Sequence, residues 1–263
     1  MSDALRREYL AGLGLESWVL RGKAAPATAP RDLIVPIEAP VLREAAAPVL
    51  REVAAPPAVP VPPPDGRAAR DPADAREAGA DWPELRARVA ACRRCSLCQT
   101  RTQTVFGVGN PQAEWLIVGE APGAEEDRQG EPFVGRAGQL LNSMLRAIGL
   151  AREQVYIANV LKCRPPGNRD PASGEAAECL PYLEQQIALL KPKLMLAVGR
   201  IAAQNLLRTE VTLGRLRQQV HRFGLSHVPL VVTYHPAYLL RTPTDKRKAW
   251  EDLKFAREVC ARV

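Results

Sequence analysis

From Trp82 onward the chain alternates short apolar runs with amphipathic stretches. Trp115–Val118 is apolar and ends at Gly119; Val155–Val160, Leu194–Val198 and Pro229–Thr233 are three further runs of strand length. Between them Ala137, Leu140, Leu141, Met144, Leu145 and Ile148 recur at helical spacing, with Gly149 near the end. Helices are also predicted around Leu85, Val89 and Cys92, over Glu175–Leu190, over Ile201–Leu207 and over Asp245–Ala261. Unbroken apolar strands alternating with helices imply an α/β fold, a parallel sheet covered on both faces. In such folds ligands sit beyond the C-terminal ends of the strands. That directs attention to Gly119–Gly123, Asn159–Cys163, Gly199–Arg200 and His235–Pro236.

The first 80 residues read differently. Eleven of the 24 prolines fall between Pro26 and Pro64, where APVLRE at 39–44 returns at 47–52. Proline removes backbone donors and favours extended conformers, so residues 21–80 are expected to be a disordered linker without a packed core. Residues 1–20 carry Leu5, Tyr9, Leu10 and Leu13 at helical spacing, then Trp18, the pattern of a short docking peptide. Residues 81–263 remain as the globular domain.

The formal net charge of +7 and a pI near 9.3 favour a polyanionic partner, nucleic acid first. No apolar run approaches the roughly 20 residues of a membrane helix, and the N-terminus lacks a signal-peptide core. A cytoplasmic location follows. There, six cysteines favour metal or cluster ligation over disulfides. Cys92 and Cys95 form a C-x2-C pair, and Cys163 and Cys179 a second pair with fifteen residues between them. Such pairs suit zinc or a four-iron cluster. Cys98 leaves the choice of thiolates open, while Cys260 reads as a packed thiol.

The loops after the strands carry the remaining chemistry. GEAPG at 119–123 is a tight turn around Glu120, followed by Glu125, Glu126 and Asp127. Asn159 ends the second run, where an amide can pair with a donor–acceptor edge. His235 follows the fourth, where an imidazole can donate to a leaving group gaining negative charge. Leu239 and Leu240, beside Arg241 and Lys246–Lys248, suggest an apolar wedge flanked by phosphate-binding charge.

Together CRRCSLCQTRTQTVFGVGNP, GEAPGAEED, PFVGRAGQLL, VYIANVLKCRPPGNRDP, VGRIAAQNLL and VTYHPAYLLR resemble the family-four, iron–sulfur uracil-DNA glycosylases, from about Leu85 to Ala256. The resemblance implies a three-layer αβα sandwich on a four-stranded parallel sheet. It implies a [4Fe–4S] cluster on Cys92, Cys95, Cys163 and Cys179, and uracil-containing DNA as substrate. Carried over, Glu120, Ala121 and Glu126 lie at the uracil, Phe133 stacks on it, Asn159 reads its edge and His235 approaches its O2. Where classical members place a water-positioning aspartate this chain has Ala121, which leaves Glu120 as the candidate. Covalently trapping relatives carry a nucleophilic His after the second strand. KCRPPGNRDPAS has none, so turnover is expected. Residues 4–20 are similar to the N-terminal peptide of the psi subunit of bacterial DNA polymerase III holoenzyme, which docks on the clamp loader. The alternative from another class is a non-catalytic DNA-binding or replisome adaptor. The presence of GEAPG, Asn159 and His235 together weighs against it.

Overall fold

The computed structural model describes residues 81–224 and 227–263. The expected docking peptide and linker lie outside these residues.

Helix α1 (Trp82–Ala91) is capped by Asp81, which accepts from the Glu84 N–H, and has Pro83 in its first turn. Strand β1 (Val108–Gly109) precedes β2 (Trp115–Gly119), then the short α2 (Ala124–Gln129) and α3 (Arg136–Ala147). After β3 (Tyr156–Asn159) come α4 (Ser173–Leu190), β4 (Leu194–Val198), α5 (Arg200–Leu207) and α6 (Leu213–Leu216). Strands β5 (His221–Phe223) and β6 (Val228–Thr233), and helices α7 (Pro236–Arg241) and α8 (Lys246–Ala261), close the chain.

The sheet runs β1-β3-β2-β4-β6-β5. Its four central strands are parallel, with Gly119 opposite Asn159 and Val198 opposite Thr233. All residues of β2, β3 and β4 are buried, as their unbroken apolar runs required. The sheet has six strands rather than four, because β1 and β5 add antiparallel edges. These edges hold two and three residues, too few to show an alternating pattern.

Two cores cover the faces. One gathers α1, α4 and α5 with the cysteines; the other gathers α3, α7 and α8. In α3, Leu141, Met144 and Leu145 are at most 1% exposed, and each such side chain contributes roughly 2 kcal/mol. Asp252 of α8 is fully buried and accepts from Arg217, Gln218 and the Thr233 hydroxyl, which fixes the end of β6. The chain leaves β2 for β3 on one side and returns to β4 on the other. This reversal opens a crevice at the strand ends. Among the described residues no helix is long and apolar enough to cross a membrane.

Candidate active site

The crevice is built from the residues just past β2, β3, β4 and β6. Gly119 forms its floor. A Cβ there would lie 2.4 Å from Asn159 Oδ1 and 2.7 Å from two carbons of the Phe133 ring, so both side chains crowd the same point. Across it the Phe133 and His235 rings stand 5.7 Å apart between centroids, tilted by 33°. Gly199 backs the imidazole so closely that a Cβ would meet His235 Cβ at 2.9 Å. Phe133, Asn159 and His235 therefore converge on one small space.

Asn159 is 2% exposed, and its Oδ1 is buried without a hydrogen-bond partner. Leaving such an acceptor unpaired costs about 1–3 kcal/mol, an arrangement that a ligand donor repairs. His235 accepts from the Ala237 N–H through Nδ1 at 3.1 Å. Its proton therefore resides on Nε2. Burial, aided by Arg241 and opposed by Glu126, lowers its pKa to about 4. At neutral pH it is an uncharged imidazole with an Nε2–H to donate.

Glu120 is half-buried at the mouth. Desolvation raises its pKa to about 7, Asp170 adding to the rise and Arg200 opposing it. Arg200 and Asp170 themselves pair at 2.8 Å. Ala121 is half-buried beside Glu120 and packs against the first core.

Phe133 is held from several directions. Its backbone sits at φ +55°, a region a bulky residue adopts only when its surroundings impose it. Glu126 accepts from the Gly123 N–H through one oxygen (3.1 Å) and from the Val134 and Gly135 N–H groups through the other (3.0 and 3.2 Å). Glu126 thus joins the GEAPG turn to the Phe133 loop. On the opposite side Arg152 donates to the Pro132 carbonyl (2.6 Å), the Phe133 carbonyl (3.3 Å) and Asn142 Oδ1 (3.1 Å). Nothing in the sequence singles out Arg152, a lone arginine before a strand.

The wedge needs correction. Leu239 is 1% exposed and packs in the second core; only Leu240, at 37%, and Arg241 face outward. The segment is helical, and adjacent residues in a helix point about 100° apart, so Leu239 turns into the core where Leu240 turns outward.

The cysteines lie beside this crevice. Cys92, Cys95, Cys98, Cys163 and Cys179 line one recess, together with Arg101, Lys162, Glu178 and Tyr182. Arg101 Nη1 donates to Cys163 Sγ at 3.0 Å, and the Lys162 N–H to Cys179 Sγ at 3.2 Å. Burial pushes the Cys179 thiol up to about 12 and raises those of Cys163 and Cys95. Among the described residues no three His, Cys, Asp or Glu side chains close on a single metal ion. The cysteine segment is also tied to α2, where both oxygens of the buried Asp127 accept from the Thr102 N–H (3.0 and 3.1 Å).

Residues 106–254, a span that contains the whole crevice, match the model of the uracil DNA glycosylase superfamily. The chain belongs to that superfamily. Within it the chain is 46% identical to a type-4 uracil-DNA glycosylase of Archaeoglobus fulgidus, over 66% of this chain and 90% of the relative. It is 41% identical to that of Sulfurisphaera tokodaii (67% and 83%) and 42% identical to that of Pyrobaculum aerophilum (66% and 91%). The match to the glycosylase superfamily begins at Phe106 and so includes Cys163 and Cys179 but not Cys92 and Cys95. The longer matches to the type-4 relatives cover 177 to 183 residues.

Proposed function

We propose that this chain is a uracil-DNA glycosylase of base-excision repair, which hydrolyses the N-glycosidic bond of extruded deoxyuridine and leaves an abasic site. The observation that carries this reading is the buried, unpartnered Oδ1 of Asn159, set where the Phe133 and His235 rings converge. A uracil placed against Phe133 offers its N3–H to that oxygen.

The proposed steps use the chain's own groups. A base within a duplex is out of reach, and extruding it costs a few kcal/mol. Stacking on Phe133 returns about 1–3 kcal/mol, and the Asn159 contact adds to it. Bond cleavage leaves negative charge on the uracil, which the neutral Nε2–H of His235 stabilises at O2. Positive charge grows on the sugar, as in glycoside hydrolysis. The Glu120 carboxylate is the group that faces it and orders the attacking water. Ala121 contributes a small wall. Glu126 acts by positioning Phe133, since its oxygens are engaged by three backbone N–H groups. Leu240 and Arg241 meet the DNA beside the extruded nucleotide.

The five-thiol recess supports a [4Fe–4S] cluster held by Cys92, Cys95, Cys163 and Cys179. Four thiols converging from α1, the Cys163 loop and α4, with N–H···S contacts to Cys163 and Cys179, fit the all-thiolate ligation of such a core, and the carboxylate beside them, Glu178, is held by Arg94. When bound, the cluster supplies a covalent cross-link between α1, the Cys163 loop and α4. Residues 81–263 form the glycosylase domain, with 21–80 as tether and 1–20 as docking peptide for the replisome.

The test is a gel assay on uracil-containing oligonucleotides, single- and double-stranded, with alkaline cleavage of abasic product. Release is expected from both, and Asn159→Ala and His235→Ala should abolish most of it while the circular dichroism spectrum is unchanged. DNA binding without any base release would favour the adaptor reading instead.

A further inference from the structure

Lys162 is 1% exposed, the one buried lysine among the described residues. Its Nζ donates to the Asn159 backbone carbonyl at 2.9 Å and to Gln186 Oε1 at 2.6 Å. Gln186, fully buried, is fixed in turn by donating to the Phe106 carbonyl at 2.9 Å. Among the described residues no carboxylate pairs with Lys162. A buried ammonium on two neutral oxygens is poorly compensated, because burying a charge is costly unless an opposite charge offsets it.

The five-cysteine recess offers that charge. Lys162 lines it, and its own N–H donates to Cys179 Sγ. Arg101 lines it too, and it donates to Cys163 Sγ and to the Ala90 and Cys92 carbonyls. The carboxylate on the wall, Glu178, is engaged by Arg94 at 2.7 Å. Four cluster-bound thiolates outweigh the positive charge of the core they surround.

We infer that Lys162 and Arg101 are the counter-cations of the cluster, and that Lys162, by holding the Asn159 carbonyl with the same ammonium, ties cluster occupancy to the placement of the base-reading amide. The inference rests on the cofactor reading above. It gives the cluster a specific route to the crevice: thiolates, the Lys162 ammonium, the Asn159 backbone. Lys162 is a positioning residue in this account.

The experiment uses the full chain purified without oxygen, as Lys162→Met and Arg101→Gln beside the natural protein. Three quantities are read: iron per chain, the cluster's reduction potential, and affinity for an oligonucleotide carrying an uncleavable 2′-fluoro-deoxyuridine. Removing either cation should shift the potential to more negative values, since the reduced cluster loses a stabilising charge. Lys162→Met should also weaken binding of the analogue by about tenfold, the loss of one buried contact. Arg101→Gln, which touches no atom of Asn159, should weaken it less. An unchanged potential in Lys162→Met, or unchanged analogue affinity, overturns the inference. If Lys162→Met does not fold, the natural protein stripped of iron serves. Weaker analogue binding supports the coupling, and equal binding of the stripped and loaded protein overturns it. Natural protein that carries no iron instead removes the cofactor reading itself.

Discussion

Glu120 offers the sharpest perturbation of the proposed chemistry. Its pKa near 7 arises first from desolvation, then from Asp170. If the carboxylate is the form that works, the single-turnover rate follows its ionised fraction. That fraction is about nine-tenths at pH 8, about a tenth at pH 6 and about a hundredth at pH 5, so the rate should fall about tenfold from pH 8 to pH 6. An ordinary glutamate would show almost no change over that interval. His235 cannot produce this limb, because it titrates near 4. Glu120→Gln should be slow and lack the inflection. Asp170→Asn should move it to lower pH, since it removes a repelling charge and releases Arg200 from its ion pair. Stability adds an independent check. A carboxylate raised above its unfolded value is neutral at no cost below about 4.5; its penalty on the fold grows as pH rises from about 4.5 to about 7, where only the unfolded chain ionises, and is constant above. Glu120→Gln should therefore be more stable than the natural protein at pH 8, by on the order of 1–3 kcal/mol, and no more stable at pH 4. The assay is uracil release at fixed salt, because DNA affinity is itself salt-dependent. A flat rate from pH 6 to 8, or an unchanged inflection in Glu120→Gln, refutes the reasoning.

Gly119→Ala should raise KM at least about tenfold and cost about 1–3 kcal/mol of stability in denaturant unfolding, because its methyl would collide with the buried Asn159 and Phe133 side chains. Arg152→Met leaves the Pro132 and Phe133 carbonyls unpaired; denaturant unfolding should show a loss of about 1–3 kcal/mol, and uracil release a raised KM. Leu239→Ala should cost about 2–5 kcal/mol of stability, whereas Leu240→Ala should leave stability unchanged and weaken binding to duplex DNA. Deleting residues 1–20 should leave uracil release from oligonucleotides intact and abolish recovery of the clamp loader in a pulldown; equal recovery from both proteins ends the docking proposal.

The central strands and long helices were legible because burial on both faces leaves an uninterrupted apolar run, and α3 shows its single buried face as a 3.6-residue period. The edge strands were not. Val108–Gly109 and His221–Phe223 become strands only because β3 and β6 present unpaired edges to them. Glu120, Asn159 and His235 could be picked out from their places after strands. Their electrostatic states could not, since desolvation at the crevice, Asp170 and the Ala237 N–H come from distant or folded segments. Glu126 was legible as an acid near the site, but only the folded loops show its oxygens satisfied by backbone. Leu239 and Leu240 look equivalent in a string; the α7 helix separates them. Arg152 and Lys162 resemble surface cations in sequence, and only tertiary packing reveals them, half-buried and buried respectively, as supports of Phe133 and Asn159.

A crystal structure with uracil bound measures the central claim most directly. Asn159 Oδ1 is expected within about 2.7–3.2 Å of uracil N3, the ring flat on Phe133, and O2 facing His235 Nε2. Uracil bound elsewhere, with Asn159 Oδ1 still unpaired, would contradict the account.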